Sequence, residues 1–216
     1  MTATIIGATG LTGSYLLNQL LRDKYFDTIR ILIRHPTEFT NPKLEKKLVD
    51  FTDNGSLQLA LEGSDVIFCA IGTTQKKVKG DVAAYRKVDY DIPVKIAMLG
   101  KATGCETFVL ISSVGANSKS NNYYLKLKGQ VEDAIKEVGF KSVHVMQPSI
   151  LLGDRKEFRL GEKMGKGFML ALSFLVPPKY KPIHAKAVAK AMLTASRKTV
   201  TGFFLYEYKA INKLNE

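Results

Sequence analysis

Cysteine and histidine are scarce in this sequence. The two cysteines, Cys69 and Cys105, stand 36 positions apart, and there are 3 histidines in 216 residues. Neither a disulfide framework nor a zinc-type ligand spacing can be built from them, so a reducing compartment, the cytoplasm, is the expected location. Long apolar runs are missing too. No stretch approaches the 18 or so residues that cross a bilayer, and the opening Met1–Gly7 has no charged region followed by an apolar core, so neither export nor a membrane span is expected. Acidic residues fall short of basic ones, 20 against 32, for a net charge of +12. The shortfall lies in residues 108–216, with 18 Lys/Arg against 8 Asp/Glu. Such a field favours anionic ligands. Basic residues interleaved with stacking aromatics, or a recognisable reading module, are absent, so nucleic acid is not the expected partner. A phosphorylated cofactor or an acidic small molecule remains.

What is present is an alternation of strand-like and helix-like apolar periods. Strands are expected at Ala3–Ile6, Ile29–Ile33, Lys47–Phe51, Val66–Ile71, Phe108–Ser112, Ser142–Gln147 and Gly202–Tyr208. Helices are expected at Leu11–Arg22, Asp81–Lys101 with a kink at Pro93, Asn121–Glu137 and His184–Arg197. Strands that are apolar throughout and separated by helices imply an α/β fold, a doubly wound parallel sheet of about seven strands covered on both faces. With 45% apolar residues, one domain over 1–216 is expected. Residues 153–182, punctuated by Gly and Pro, read as an irregular appendage on the substrate side.

Between the first strand and first helix lies Gly7-Ala8-Thr9-Gly10-Leu11-Thr12-Gly13. A turn of this kind tolerates positive φ, lets backbone approach a pyrophosphate and packs helix on strand, while the helix N-terminus supplies donors and positive dipole. It predicts dinucleotide binding. The second strand ends in Arg34-His35 with no acid before Glu38. A cation there accommodates a ribose 2′-phosphate, so NADP(H) is expected over NAD(H); the alternative is an ordinary solvated arginine. The fourth strand runs into Ala70-Ile71-Gly72-Thr73, small enough for backbone to pass close to a cofactor ribose, and Cys69 reads as a small buried apolar residue.

The fifth strand ends in Ser112-Ser113, and eleven residues later comes Tyr124-Leu-Lys-Leu-Lys128. At i and i+4 of a helix, Tyr124 and Lys128 share a face. An ammonium beside a phenol lowers its pKa, the phenol can pass a proton to a carbonyl oxygen, and a serine hydroxyl can hold that oxygen. Tyr123 competes for the acid role, but its i+4 residue is Leu127; of the two serines, Ser113 is preferred.

The spacing GxxGxxG and the stretches 71–97, 111–132, 147–162 and 181–192 resemble the atypical short-chain dehydrogenases/reductases. The resemblance is to the group related to the Tat-interacting oxidoreductase-like protein, whose bacterial relatives are called nucleoside-diphosphate-sugar epimerases. One departure is Ile6, where many extended members have Thr. The resemblance implies a Rossmann fold, NADP(H), and Ser113, Tyr124 and Lys128 as the catalytic set. It also implies that Asp50 and Phe51 bracket the adenine, that Asp89 stands where an Asn often helps organise the site, and that Gln147-Pro148-Ser149-Ile150 lies beside the nicotinamide.

Hydride transfer to or from a small carbonyl or alcohol is the expected activity. One alternative is an NADP(H)-sensing regulator acting through a protein partner and the 153–182 segment. Another is sugar-nucleotide epimerisation or dehydration, disfavoured by the 69 residues left after Gln147. The substrate is expected to be a small molecule; a homo-oligomer or protein partner stays open. Arg155, Lys156, Arg159, Lys163 and Lys166 are expected to form a solvated face, with attraction of an acidic substrate as the alternative. His144 and His184 read as structural, His184 as a cap or packing residue.

Overall fold

In a computed structural model, seven strands form one parallel sheet. The structure describes residues 1–74, 77–153 and 177–216. The strands are β1 (Thr2–Ile6), β2 (Thr28–Ile33), β3 (Leu44–Leu48), β4 (Val66–Cys69), β5 (Thr107–Ile111), β6 (Ser142–Met146) and β9 (Gly202–Tyr206), in the order β3-β2-β1-β4-β5-β6-β9. A short parallel pair, β7 (Leu151–Leu152) and β8 (Ile183–His184), lies apart from it. The chain winds outward from β1 in one direction, then crosses back to β4 and winds in the other. Its switch point lies between β1 and β4, where Ile6 pairs with Cys69. Open α/β sheets bind ligands in the crevice beyond such a point.

Helices cover both faces, which is why the central strands are apolar on both sides. On one face α1 (Leu11–Arg22), α6 (Ala185–Ser196) and α7 (Tyr208–Lys213) bury Leu16, Leu20, Val188, Met192 and Ile211 against Ile5, Ile31 and Phe68. On the other, α2 (Asn54–Leu61), α4 (Ile92–Ala102) and α5 (Tyr123–Val138) bury Leu57, Leu61, Ile96, Val131 and Ile135 against Ile6, Ile67 and Phe108.

Besides β7, β8 and α7, which the pattern did not predict, three elements differ from expectation. The third strand is Leu44–Leu48, not Lys47–Phe51: the ladder with β2 runs from Ile29–Leu44 to Ile33–Leu48. Val49 and Phe51 are buried, but outside the sheet, because Asp50 Oδ1 accepts hydrogen bonds from Thr52 N and Oγ1 at 2.8 Å each and turns the chain. Edge strand β3 is joined to β2 by the backbone ladder and by one cross-strand ion pair, Arg30 Nε 2.6 Å from the Glu45 carboxylate, which Lys47 Nζ of β3 itself also meets at 2.7 Å. The long helix expected over 81–101 is three pieces: α3 (Val82–Arg86), a π-turn at Lys87–Asp91, and α4. Pro93 has no N–H to give Asp89 four residues back. The strain is taken up ahead of it by a wide turn closed by Ile92 N–H to Lys87 O. The short helix α2 was not expected from the pattern; Asp53 caps it by accepting from Gly55 N at 3.0 Å.

Candidate active site

The glycine turn stands at the switch point, and its geometry gives each glycine a separate reason. Gly7 has φ +87°, and a Cβ there would come within 2.7 Å of Ala70 C and Ile71 N, the backbone leaving β4. Gly10 N–H closes the turn on Gly7 O at 3.0 Å. A Cβ on Gly13 would lie 2.0 Å from Gly7 O, so helix and turn touch backbone to backbone. Gly10 also forms the N-cap of α1 and offers no side-chain cap to the first-turn amides. A close-packed cradle of backbone next to an uncapped helix N-terminus fits the diphosphate of a dinucleotide. Ala8, Thr12 and Gly13 are buried beneath it, while Thr9 and Gly10 are exposed and Leu11 is half-buried.

The other residues singled out from sequence fall around this cradle on the strand ends. Arg34 and His35 follow β2 directly and are both exposed. Phe51 is buried and Asp50 exposed beyond β3. Ala70, Ile71 and Thr73 are half-buried, with Gly72 exposed, in the backbone that leaves β4. Pro148 is buried and Ile150 exposed after β6; Pro148 O accepts from Val114 N at 3.0 Å, tying that segment to the end of β5. Arg155, Lys156, Arg159, Lys163 and Lys166, with most of the expected appendage, lie outside the described residues.

Helix α5, which bears Tyr124 and Lys128, starts just beyond the β5 loop. Asn122 caps it, accepting from Leu125 N at 3.1 Å. A Cβ on Gly129 would lie 2.2 Å from Ser118 N, so the helix lies directly on that loop. Tyr124 is 38% exposed, with no hydrogen-bond partner among the described residues. Tyr123, the competitor, points elsewhere: its hydroxyl donates to Val82 O at 3.5 Å and its ring lies 6.1 Å from Tyr85. Ser113 is half-buried and Ser112 buried.

Lys128 is buried, and its Nζ lies 2.9 Å from Asp89 Oδ1. Burial opposes its charge, but the Asp89 carboxylate and then Tyr124 outweigh it, and the Lys128 pKa stands above the ordinary lysine value. The second oxygen of Asp89 accepts from Thr73 N at 2.7 Å. An unbroken chain of contacts therefore runs from the glycine turn through the β4 loop and Asp89 to Lys128. The π-turn contributes to this: it carries Asp89, only 2% exposed, into the protein.

One buried neighbour of Lys128 was not singled out in the sequence. Glu132, one turn beyond Lys128, is buried, and both its oxygens accept from Gln147 Nε2 at 2.9 and 3.0 Å. Burial holds its carboxyl above the usual carboxylate range, against the Gln147 hydrogen bond. The signal was available as the i+4 series Tyr124, Lys128, Glu132. Gln147 was expected beside the nicotinamide, but its side chain is taken up by Glu132. Cys69 is fully buried and its thiol is pushed up to about 12, as suits a packing residue.

Among the described residues no helix is long and apolar enough to cross a membrane. Residues 7–198 match the NAD(P)H-binding family. The chain is 37% identical to "Protein HTATIP2" of Rattus norvegicus over 78% of this chain and 70% of that protein. It is 32% identical to "Protein FMP52, mitochondrial" of Candida albicans over 94% of this chain and 90% of that one. Among solved structures it resembles MoeE5 in complex with UDP-glucose and NAD, with a TM-score of 0.71 at 13% identity, covering 99% of this chain and 79% of that one. It also resembles the UDP-N-acetylglucosamine 4-epimerase from Bacillus cereus, with a TM-score of 0.70 at 16% identity, covering 100% and 84%. These structural likenesses show a Rossmann fold.

Proposed function

The chain belongs to the NAD(P)H-binding family and is homologous to HTATIP2 and FMP52; from that premise we propose that it is an NADP(H)-dependent oxidoreductase of the short-chain dehydrogenase type, acting on a small carbonyl or alcohol. The observation that carries this reading is the continuity between the two halves of the site. The Lys128–Asp89–Thr73 contacts join the helix bearing Tyr124 to the backbone that faces the glycine turn. A mere packing role for Tyr124 and Lys128 would not require a buried ammonium at that point.

Residues 1–216 form one dinucleotide-binding domain in this reading. Gly7–Gly13 and the first turn of α1 would hold the diphosphate, Arg34 the 2′-phosphate, and Asp50 and Phe51 the adenine. Ala70, Ile71, Gly72 and Thr73 would hold the ribose, and Pro148 and Ile150 the nicotinamide. When bound, the dinucleotide supplies or accepts the hydride. Tyr124 delivers the phenolic proton to the carbonyl oxygen while Ser113 Oγ donates a hydrogen bond to the same oxygen. The Lys128 ammonium stabilises the phenolate left behind. In the reverse direction the phenolate takes the alcohol proton.

Calorimetric titration with NADPH, with NADH as the matched control, tests the cofactor half. At least ~10-fold preference for NADPH, about 1.4 kcal/mol, is expected, falling towards parity in Arg34→Ala. Equal affinity in the wild type removes Arg34 from the site. On a carbonyl substrate found by screening NADPH oxidation, Tyr124→Phe should abolish turnover and leave NADPH affinity within about two-fold, since only a transition-state role is removed. Turnover that survives the change rejects Tyr124 as the acid.

A further inference from the structure

The sheet ends at β3, and among the described residues no strand pairs with its outer side. The strand is five residues long, with no proline or glycine to blunt it, and Leu48 on it is 61% exposed. Ile29 N donates to Lys43 O and Val49 N to Ile33 O, so in the parallel ladder between them the main chain of Glu45 and Lys47 faces β2. The backbone groups of Leu44, Lys46 and Leu48 therefore point away from the sheet. Side chains alternate as well. Leu44, Lys46 and Leu48 lie on the face of Ile29, Ile31 and Ile33, and Glu45 and Lys47 lie on the face of Arg30. We propose that β3 is a two-fold interface, to which a second copy of this chain adds its own β3 antiparallel, making one continuous sheet. The inference is independent of the cofactor reading and goes beyond it.

The order of residues in the strand argues for this occupant. Only the even-numbered residues turn their N–H and C=O outward, so in an antiparallel pair they must oppose one another. The two-fold axis then falls between a residue and its own copy. Centred on Lys46, Leu-Glu-Lys-Lys-Leu is its own complement: Glu45 opposes the second copy's Lys47 twice, and Leu44 opposes Leu48 twice. Glu45 then stands between Arg30 of its own β2, 2.6 Å away, and the second copy's Lys47. Centring on Glu45 sets Glu45 against Glu45 and Lys47 against Lys43. Centring on Lys47 sets Lys47 against Lys47 and Lys46 against Leu48. Neither of these registers has an opposite-charge pair. The like-charge pair in the favoured register is Lys46 against Lys46. That side chain is already drawn aside, with Nζ donating to Thr37 O at 3.1 Å. An unrelated acidic peptide would meet Lys46 and Lys47 but leave Glu45 opposed and Leu48 unmatched.

Sedimentation equilibrium of the full chain is the first test. A dimer with Kd below about 100 µM is expected, and no larger species, because a two-fold pairing uses up both edges it joins. Protein that stays monomeric at that concentration overturns the proposal. Introduced cysteines then read the register, since Cys69 and Cys105 are both buried. In Lys46→Cys the two copies of residue 46 face each other at about 5.5 Å between Cα atoms, within disulfide reach, and copper-phenanthroline oxidation should link the chains into dimers. In Leu48→Cys the two copies of residue 48 lie about 13 Å apart along the strands and should not link. Equal linking in both variants, or none in Lys46→Cys, overturns the proposed pairing. Lys46→Pro supplies the third arm. The N–H it removes points away from β2, so the monomer's melting midpoint should be kept. The on-axis hydrogen bonds are lost, and dimer affinity should fall at least ~10-fold. A folded Lys46→Pro that dimerises like wild type places the contact on another face and overturns the proposal.

Discussion

Glu132 lies one helical turn beyond Lys128 on α5 and shares both carboxylate oxygens with the single Nε2 of Gln147, at 2.9 and 3.0 Å. A neutral amide is a weak partner for a buried carboxylate. Ser112 Oγ, buried beside the carboxyl, forms no well-shaped hydrogen bond. Burial raises the Glu132 pKa in the fold, and Asp133 adds to the effect. A carboxyl with a raised folded pKa contributes stability that is present below its unfolded pKa and lost as pH rises through the folded value. At pH 7.5 the ionised group is therefore a cost.

Glu132→Gln removes that cost while its Oε1 can still accept from Gln147. The variant should match or exceed wild-type stability by about 1 kcal/mol at pH 7.5, with the advantage gone near pH 4. Urea midpoints at the two pH values check it. A variant clearly less stable than wild type at pH 7.5 would mean that the carboxylate charge itself supports Gln147 or Lys128.

The glycine turn predicts a graded series. A methyl on Gly13 would meet Gly7 O at 2.0 Å and Gly7 C at 2.8 Å, all backbone, so α1 must move off the turn. A methyl on Gly10 meets Gly7 O at 3.3 Å, within reach of a small adjustment. Gly13→Ala should lose about 1–3 kcal/mol and several degrees in Tm, with loss of NADPH binding. Gly10→Ala should lose clearly less stability. Thermal melts with and without NADPH measure both. Equal losses would show that the close approach of helix and turn is not what these glycines secure.

The parallel sheet and the glycine turn were legible because both depend on local pattern: apolar runs in Ala3–Ile6 and Val66–Ile71, and Gly7, Gly10 and Gly13 at a strand–helix junction. That Tyr124 and Lys128 lie on one helix was legible from their i, i+4 spacing after a strand ending in serine. The third strand was misplaced because Val49 and Phe51 look like strand residues and are buried, yet the true edge strand LEKKL is charged and pairs with β2 through the backbone ladder and the Arg30–Glu45 ion pair, which no apolar pattern reveals. The kink at Pro93 was anticipated, but not the π-turn that absorbs it and carries Asp89 inward. The pairing of Glu132 with Gln147 joins residues 15 apart on different elements, and only the register of α5 on β6 brings them together.

His144 was expected to be structural, and its surroundings turn that into a pH dependence. It is fully buried in β6, with Ser142 Oγ 3.0 Å from Nε2 and the Tyr206 hydroxyl 2.9 Å from Nδ1, and its ring stacks on Phe204 at 5.4 Å. Burial, with a smaller push from Lys198, lowers its pKa to about 4 from an ordinary 6.5. A histidine with a depressed folded pKa gives stability that is present above pH 6.5 and is lost as pH falls towards 4, because the unfolded chain takes the proton first. The full linkage is of the order of 3 kcal/mol. His144→Gln can keep polar contacts with Ser142 and Tyr206 but cannot titrate. Wild type and variant unfolded in urea at pH 7.5 and 4.5 isolate the histidine from the carboxylates, which titrate in both. The wild-type advantage at pH 7.5 should shrink by about 2 kcal/mol or more at pH 4.5. A constant difference would mean that His144 titrates alike in the folded and unfolded chain, so that burial does not disfavour its charged form.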